Sequence, residues 1–215
     1  MTPNDDCAPQ DPYPPPERLR EIATAGPGEV ESGHGSTRRS PRVFICYAHD
    51  DEEHVESVRA LAGLLVQCRL DVHLDRWDLA QRRDWYLWAG SQLDLADYVV
   101  VVASPVCRRV GDGKMENTRH QGLQSEMAQL RELLHSDRAA WTRKLLPVVL
   151  PGRSVSDIPL FLQPRTADHY IVTELTPAGV EDLVMVITQL PPYQRPPLSR
   201  PLALPPRLSV RRWSM

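Results

Sequence analysis

Lysine, phenylalanine, cysteine and long apolar runs are all scarce in this chain, and each scarcity excludes something. Lys stands only at positions 114 and 144, so the basic surface is an arginine surface, a bias that a GC-rich genome produces without any binding role. The net charge of −3 argues against nucleic acid as the main partner. Cys7, Cys46, Cys68 and Cys107 are widely scattered, with no Cys-x-x-Cys pair and no matching His spacing. Neither a metal centre nor a disulfide framework is indicated, and reduced structural thiols are expected. The longest apolar run, Tyr98 to Ala103, is far below the roughly 20 residues that cross a bilayer. The N-terminus also lacks the basic and apolar regions of a signal peptide. The expectation is a cytoplasmic protein with no membrane span.

Proline, by contrast, is plentiful and unevenly placed. Residues 1–40 carry Pro3, Pro9, Pro12, Pro14, Pro15, Pro16 and Pro27 amid Gly, Ser and acids, too little apolar surface to fold alone. From about residue 191 the chain reads PPYQRPPLSRPLALPPRLSVRRWSM, with five arginines and no acid. The expected organisation is a disordered Pro-rich tail over 1–40, a folded domain over 41–190, and an extended, disordered Pro/Arg-rich tail over 191–215. A hydrophobic content of 41% in 215 residues suits one such core.

The folded stretch opens on RVFICYAHDDEE, residues 42–53. Val43, Ile45 and Tyr47 would face one side and Phe44 and Cys46 the other, so this strand is apolar on both faces, as a central strand covered by helices must be. Asp50, with Glu53 three residues on, has the spacing of a capping box. The short polar loop from His49 to Asp51 then lies at the carboxyl end of the strand, where open α/β sheets bind their ligands.

Periodicity then alternates. Val55, Val58, Leu61, Ala62 and Leu65 predict a helix over 51–68, Leu70 to Asp75 a more exposed strand, and Arg76 to Arg83 a charged connector. Asp84 caps a helix with Trp85, Trp88, Leu93 and Ala96 on one face. Residues 97–103 form a third strand, apolar on both faces. Pro105, Gly111 and Gly113 predict a long mobile loop over 104–121 after a short helical start. Helical spacing returns from Leu123 through Leu134, followed by strands over 144–150 and 169–172 and a last helix from Thr176-Pro177 through Leu190. The fold class predicted is α/β: a flavodoxin-like, open, mostly parallel five-stranded sheet with helices on both faces. His54 and His73 are expected to face solvent.

Several familiar chemistries fail on single residues. A phosphoacceptor receiver needs an Asp where Ser104 ends the third strand, and a phosphatase loop from Cys107 needs an Arg where Gly113 stands. His49-Asp50 lacks further metal ligands, and Gly111-Asp-Gly113 lacks the strand, helix and third glycine of a dinucleotide fingerprint.

Six stretches in order, RVFICYAHDDEEH, DVHLDRWDL, YVVVVASP, GLQSEMAQL, KLLPVVLP and DIPLFLQPRTADHYIV, resemble the SEFIR branch of the Toll/interleukin-receptor (TIR) superfamily over roughly residues 42–190. The resemblance implies a signalling module that associates with itself or with other SEFIR/TIR-like domains through the loop after the second strand and neighbouring helices. Here that surface is Asp75, Arg76, Trp77, Asp78, Leu79, Arg82, Arg83 and Asp84, together with the helix around Glu126. Trp77 is either an interface anchor or a ring folded onto its own domain. The loop lacks the Pro-Gly or Gly often found near its tip in the family.

The resemblance also implies an alternative, NAD glycohydrolysis switched on by assembly. No cofactor is required, and NAD is then a candidate substrate. Glu126 matches the family's catalytic glutamate, and Tyr47, His49, Asp50, Trp77 and Ser104 would line the NAD pocket. The competing reading of Glu126 is an ordinary first-turn helix glutamate, satisfied by the helix dipole or an Arg.

Overall fold

The computed structural model describes residues 39–78, 82–116 and 119–190; both proposed tails lie almost wholly outside them. The elements are β1 (Arg42–Cys46), α1 (Glu52–Gln67), β2 (Asp71–His73), a 3₁₀ turn (Asp75–Trp77), α2 (Trp85–Leu95), β3 (Tyr98–Val102) and α3 (Pro105–Gly111). There follow α4 (Gln121–Ser136), α5 (Arg138–Lys144), β4 (Leu145–Val149), 3₁₀ turns at Val155–Asp157 and Leu160–Leu162, β5 (Tyr170–Ile171) and α6 (Glu181–Thr188). The strand order is β2-β1-β3-β4-β5, and every registered pair is parallel. This is the doubly wound α/β arrangement expected, with its switch point between β1 and β3.

The alternation in β1 builds the two cores. Val43, Ile45 and Tyr47 join Val55, Val58, Leu61 and Leu65 of α1 and Leu183, Val184 and Ile187 of α6. Phe44 and Cys46 join Trp88 and Leu93 of α2, Cys107 and Val110 of α3, and Met127 and Leu130 of α4. β3 divides the same way, Val100 and Val102 to the first core and Val99 and Val101 to the second. A strand buried on both faces leaves its polar neighbours only one place to collect, the carboxyl end.

Several expectations need correction there. Asp50 does not cap α1. Asp51 does, its side chain accepting from the His54 backbone N–H at 2.7 Å. Asp50 is turned across the sheet instead, accepting from Ser104 Oγ at 2.8 Å and the Val106 N–H at 3.2 Å. Ser104 in turn caps α3 by accepting from the Cys107 N–H at 3.0 Å. His54 does not face solvent. It is 2% exposed, with no hydrogen-bond partner on either ring nitrogen. Burial, then the nearby Arg153, lowers its pKa, so the imidazole is held neutral. His73 is partly buried and meets Asp71 at 3.1 Å.

The expected mobile loop over 104–121 is largely structured. Ser104 and Pro105 give α3 its N-cap and first-turn proline, a pairing that favours helix. Beyond it the Asp112 carboxylate, 2% exposed, accepts from Arg108 Nε at 2.6 Å and the Leu160 N–H at 2.9 Å. Gly111 lets Pro159 close in, since a Cβ there would lie 2.5 Å from the Pro159 Cβ. The last helix begins at Glu181 and not at Thr176. The Thr176 hydroxyl and carbonyl are taken up by the N–H groups of Gly179 and Val180, in a separate turn. Trp85, expected on the buried face of its helix, is 40% exposed. The short helix α5 has no counterpart in the periodicity.

Asp50→Ala removes two hydrogen bonds that bridge the ends of β1 and β3. Chemical denaturation should show a loss of about 2–3 kcal/mol with an unchanged m-value; a loss below about 0.5 kcal/mol would contradict a structural role for this carboxylate.

Candidate functional site

The carboxyl ends of β1 and β2, facing α2 and α4, enclose a cleft of about 230 Å³. Tyr47 and His49 enter it from the end of β1, Asp75 from the 3₁₀ turn after β2, Trp85 and Trp88 from α2, and Glu126 from the second turn of α4, with His120, Gly122 and Leu123 closing the side. A shallower hollow of about 290 Å³ adjoins it between His49, Asp75, Arg76 and Trp85.

Two carboxylates in this cleft have opposite electrostatics. Burial raises the Glu126 pKa to about 7, with the Asp75 carboxylate adding to the effect. The Cys46 thiol donates to Glu126 Oε2 at 2.9 Å and, with His49, pulls in the other direction without overcoming burial. Burial would also raise Asp75. Its hydrogen bonds from His49 and Tyr47 outweigh that and hold it below the ordinary carboxylate value. The Tyr47 hydroxyl donates to Asp75 Oδ1 at 2.8 Å, and His49 Nε2 lies 3.0 Å from Asp75 Oδ2. The cleft thus holds one carboxylate fixed as an anion and another poised between its two forms at neutral pH. The thiol is not a nucleophile: burial, then Glu126, pushes its pKa well above the ordinary range.

Of the residues expected to line an NAD pocket, Tyr47, His49 and Glu126 are brought together. Asp50 and Ser104 are engaged in the strand-end tie instead, and Trp77 is not a lining residue. Trp85, Trp88 and His120 line the cleft unforeseen. Trp85 was legible only as a helix-face residue. Glu126 is neither in the first turn nor held by an Arg; its partner is Cys46.

The loop over 75–84 is built from the same elements. Asp75 starts the 3₁₀ turn and its Oδ1 accepts from the Arg76 N–H at 2.7 Å. Arg76 and Trp77 are exposed, Trp77 at 46%. Arg83 Nη2 donates to Asp78 Oδ1 at 3.0 Å, closing the base of the loop, while Arg82 is exposed. Asp84 caps α2 by accepting from the N–H groups of Tyr86 and Leu87. Leu79 lies outside the described residues. Among the described residues no cluster of His, Cys, Asp or Glu has the makings of a metal site.

A parallel sheet in this order, with a charged aromatic sequence following its edge strand β2, defines an α/β module of the doubly wound class. Residues 41–183 match the SEFIR domain model, and the chain belongs to the SEFIR family. These domains are signalling modules that interact homotypically. A solved prokaryotic SEFIR domain is 24% identical, with a TM-score of 0.53 over 75% of this chain and 100% of that one. The SEFIR domain of IL-17 receptor B is 20% identical, with a TM-score of 0.45 over 69% of this chain and 98% of that one. No curated protein matches the chain. Among the described residues no helix is long and apolar enough to cross a membrane.

The raised Glu126 pKa fixes a pH dependence. Stability from neutral Glu126 is fully present below about pH 4.5 and is lost as pH rises through about 7. Glu126→Gln should therefore flatten that part of the stability profile and gain up to about 3 kcal/mol over wild type near pH 8. Identical slopes for the two proteins in urea titrations from pH 5 to 8 would contradict the buried carboxyl.

Proposed function

We propose that this domain is a cytoplasmic assembly module that pairs with a second copy of itself, or with another SEFIR/TIR-like domain, through the face formed by the 75–84 loop and the start of α2. The observation that carries this reading is the placement of exposed aromatics. Among the described residues Trp77, Trp85 and Tyr86 are exposed at 46%, 40% and 57%, and Leu87 follows at 65%. Asp75, Arg76, Asp78, Arg82 and Arg83 place charges of both signs beside them. Large aromatics supply contact area at low entropic cost, and the mixed charges supply register and reject wrong partners. The cytoplasmic placement rests on Cys46, Cys68 and Cys107, all free thiols. The domain limits proposed remain 41–190, with the Pro-rich segments as tails.

Arg76→Glu should weaken self-association in light scattering by about tenfold or more and leave the melting temperature unchanged. Trp77→Ala should do the same through loss of an anchor. Unchanged association in both variants would remove this face as the interface.

A second reading, hydrolysis of NAD, is favoured by one observation: Glu126 opens onto a cleft beside Tyr47, His49 and two tryptophans. Nicotinamide leaves a pyridinium as a neutral molecule, so a carboxylate that stabilises the oxocarbenium-like transition state and one water complete the reaction to ADP-ribose. A cleft of about 230 Å³ lies below the size of ordinary small-molecule sites, roughly 300–1,000 Å³, so this chemistry requires assembly to widen it. Nicotinamide release that appears only at high protein concentration and disappears in Glu126→Gln is the expected signature. No release at any concentration sets this reading aside and leaves the assembly module.

A further inference from the structure

The sheet has two edges, and only one leads into the interaction loop. At the other edge, β5 and α6 border an open groove of about 900 Å³ whose lining includes Tyr170, Ile171, Val186 and Leu190 together with the carboxylates of Asp168 and Asp182. Ile171, Val186 and Leu190 are 57%, 38% and 43% exposed. The Val172 N–H donates back to the Val149 carbonyl at 2.9 Å. One residue earlier on a period of two, the Ile171 N–H therefore points to the open edge.

Leu190 is both a groove residue and the point from which the chain continues into residues 191–215. That continuation carries Arg195, Arg200, Arg207, Arg211 and Arg212 and no acid, with proline and leucine between them. Its charge and its apolar content both complement the groove. Length suffices as well: α6 has 8 residues, about 12 Å at the helical rise, which about four residues of an extended polyproline segment span, so residues 193–207 have chain to spare to turn back from Leu190 and pass along the groove.

We propose that the groove between β5 and α6 is the docking site of the chain's own C-terminal segment, residues 193–207. Its prolines and leucines cover Ile171, Val186 and Leu190, its arginines meet Asp168 and Asp182, and one of its backbone carbonyls accepts from the Ile171 N–H. A proline-rich segment suits this edge because it has carbonyls to offer and its prolines bring no N–H group to leave unpaired. The docked segment closes the free edge of the sheet and leaves assembly to the β2 side. This inference is independent of the loop interface proposed above, since it concerns the opposite edge.

Hydrogen exchange on the full-length chain tests it. The Ile171 amide should exchange slowly in the wild type and at least about tenfold faster in an Arg195→Glu, Arg200→Glu, Arg207→Glu variant. Adding Asp168→Arg and Asp182→Arg should restore much of the protection by reversing the charges, and every rate should be independent of protein concentration. Equal exchange in wild type and tail variant overturns the proposal. Protection that grows with concentration overturns it too, because a second copy then occupies the groove.

Discussion

The Asp50 carboxylate ties together the two strands on which the whole domain turns. It leaves the end of β1, reaches the Ser104 hydroxyl and the Val106 N–H beyond β3, and so spans the switch point of the sheet. Its neighbour Asp51 starts α1, and Ser104 starts α3. Two adjacent acids and one serine thereby fix the departure of two helices on opposite faces. The cleft lies on the other side of β1, where its end and that of β2 face α2 and α4. Of the acids at 50–53, Asp50 bridges the strand ends and Asp51 caps α1.

Asp75 joins the cleft to the loop. The same carboxylate that accepts from Tyr47 and His49 begins the 3₁₀ turn that presents Arg76 and Trp77. It also acts on Glu126, whose own partner, Cys46, is the last residue of β1. A displacement of the 75–77 turn therefore cannot leave the Glu126 environment untouched. If the proposed loop interface is occupied, partner binding there and protonation of Glu126 would be linked through the Asp75 side chain.

The order and type of the strands were legible because their faces are unambiguous: β3 throughout and β1 after Arg42 are apolar at every position, and a parallel central strand allows little else. Tyr47, His49 and Glu126 were legible as neighbours through resemblance. Asp50 was misread because Asp50-Asp51 offers two equally good caps, and sequence spacing does not say which of two adjacent acids turns toward β3. His54 was misread as well. It falls in the first turn of α1, where a polar residue is ordinarily solvated, but helical spacing sets it on the buried stripe with Val58 and Leu61. The order within 104–121 was underestimated because, beyond the local signals of Ser104-Pro105 and the Arg108–Asp112 pair, its end is held by long-range contacts of Asp112 with Leu160 and of Gly111 with Pro159 that leave no local pattern. Trp85 reads as a core residue on helical spacing, but it is the first residue of α2 and stands at the rim of the cleft, 40% exposed.

The central claim, that the loop and the start of α2 form the assembly face, is tested most directly by the indole N–H signals in a concentration series. The account predicts that the Trp77 and Trp85 resonances shift or broaden together as the protein associates, while Trp141, packed beneath Lys144 on α5, stays fixed. Association that moves Trp141 and leaves Trp77 and Trp85 unchanged would place the interface elsewhere and contradict the account.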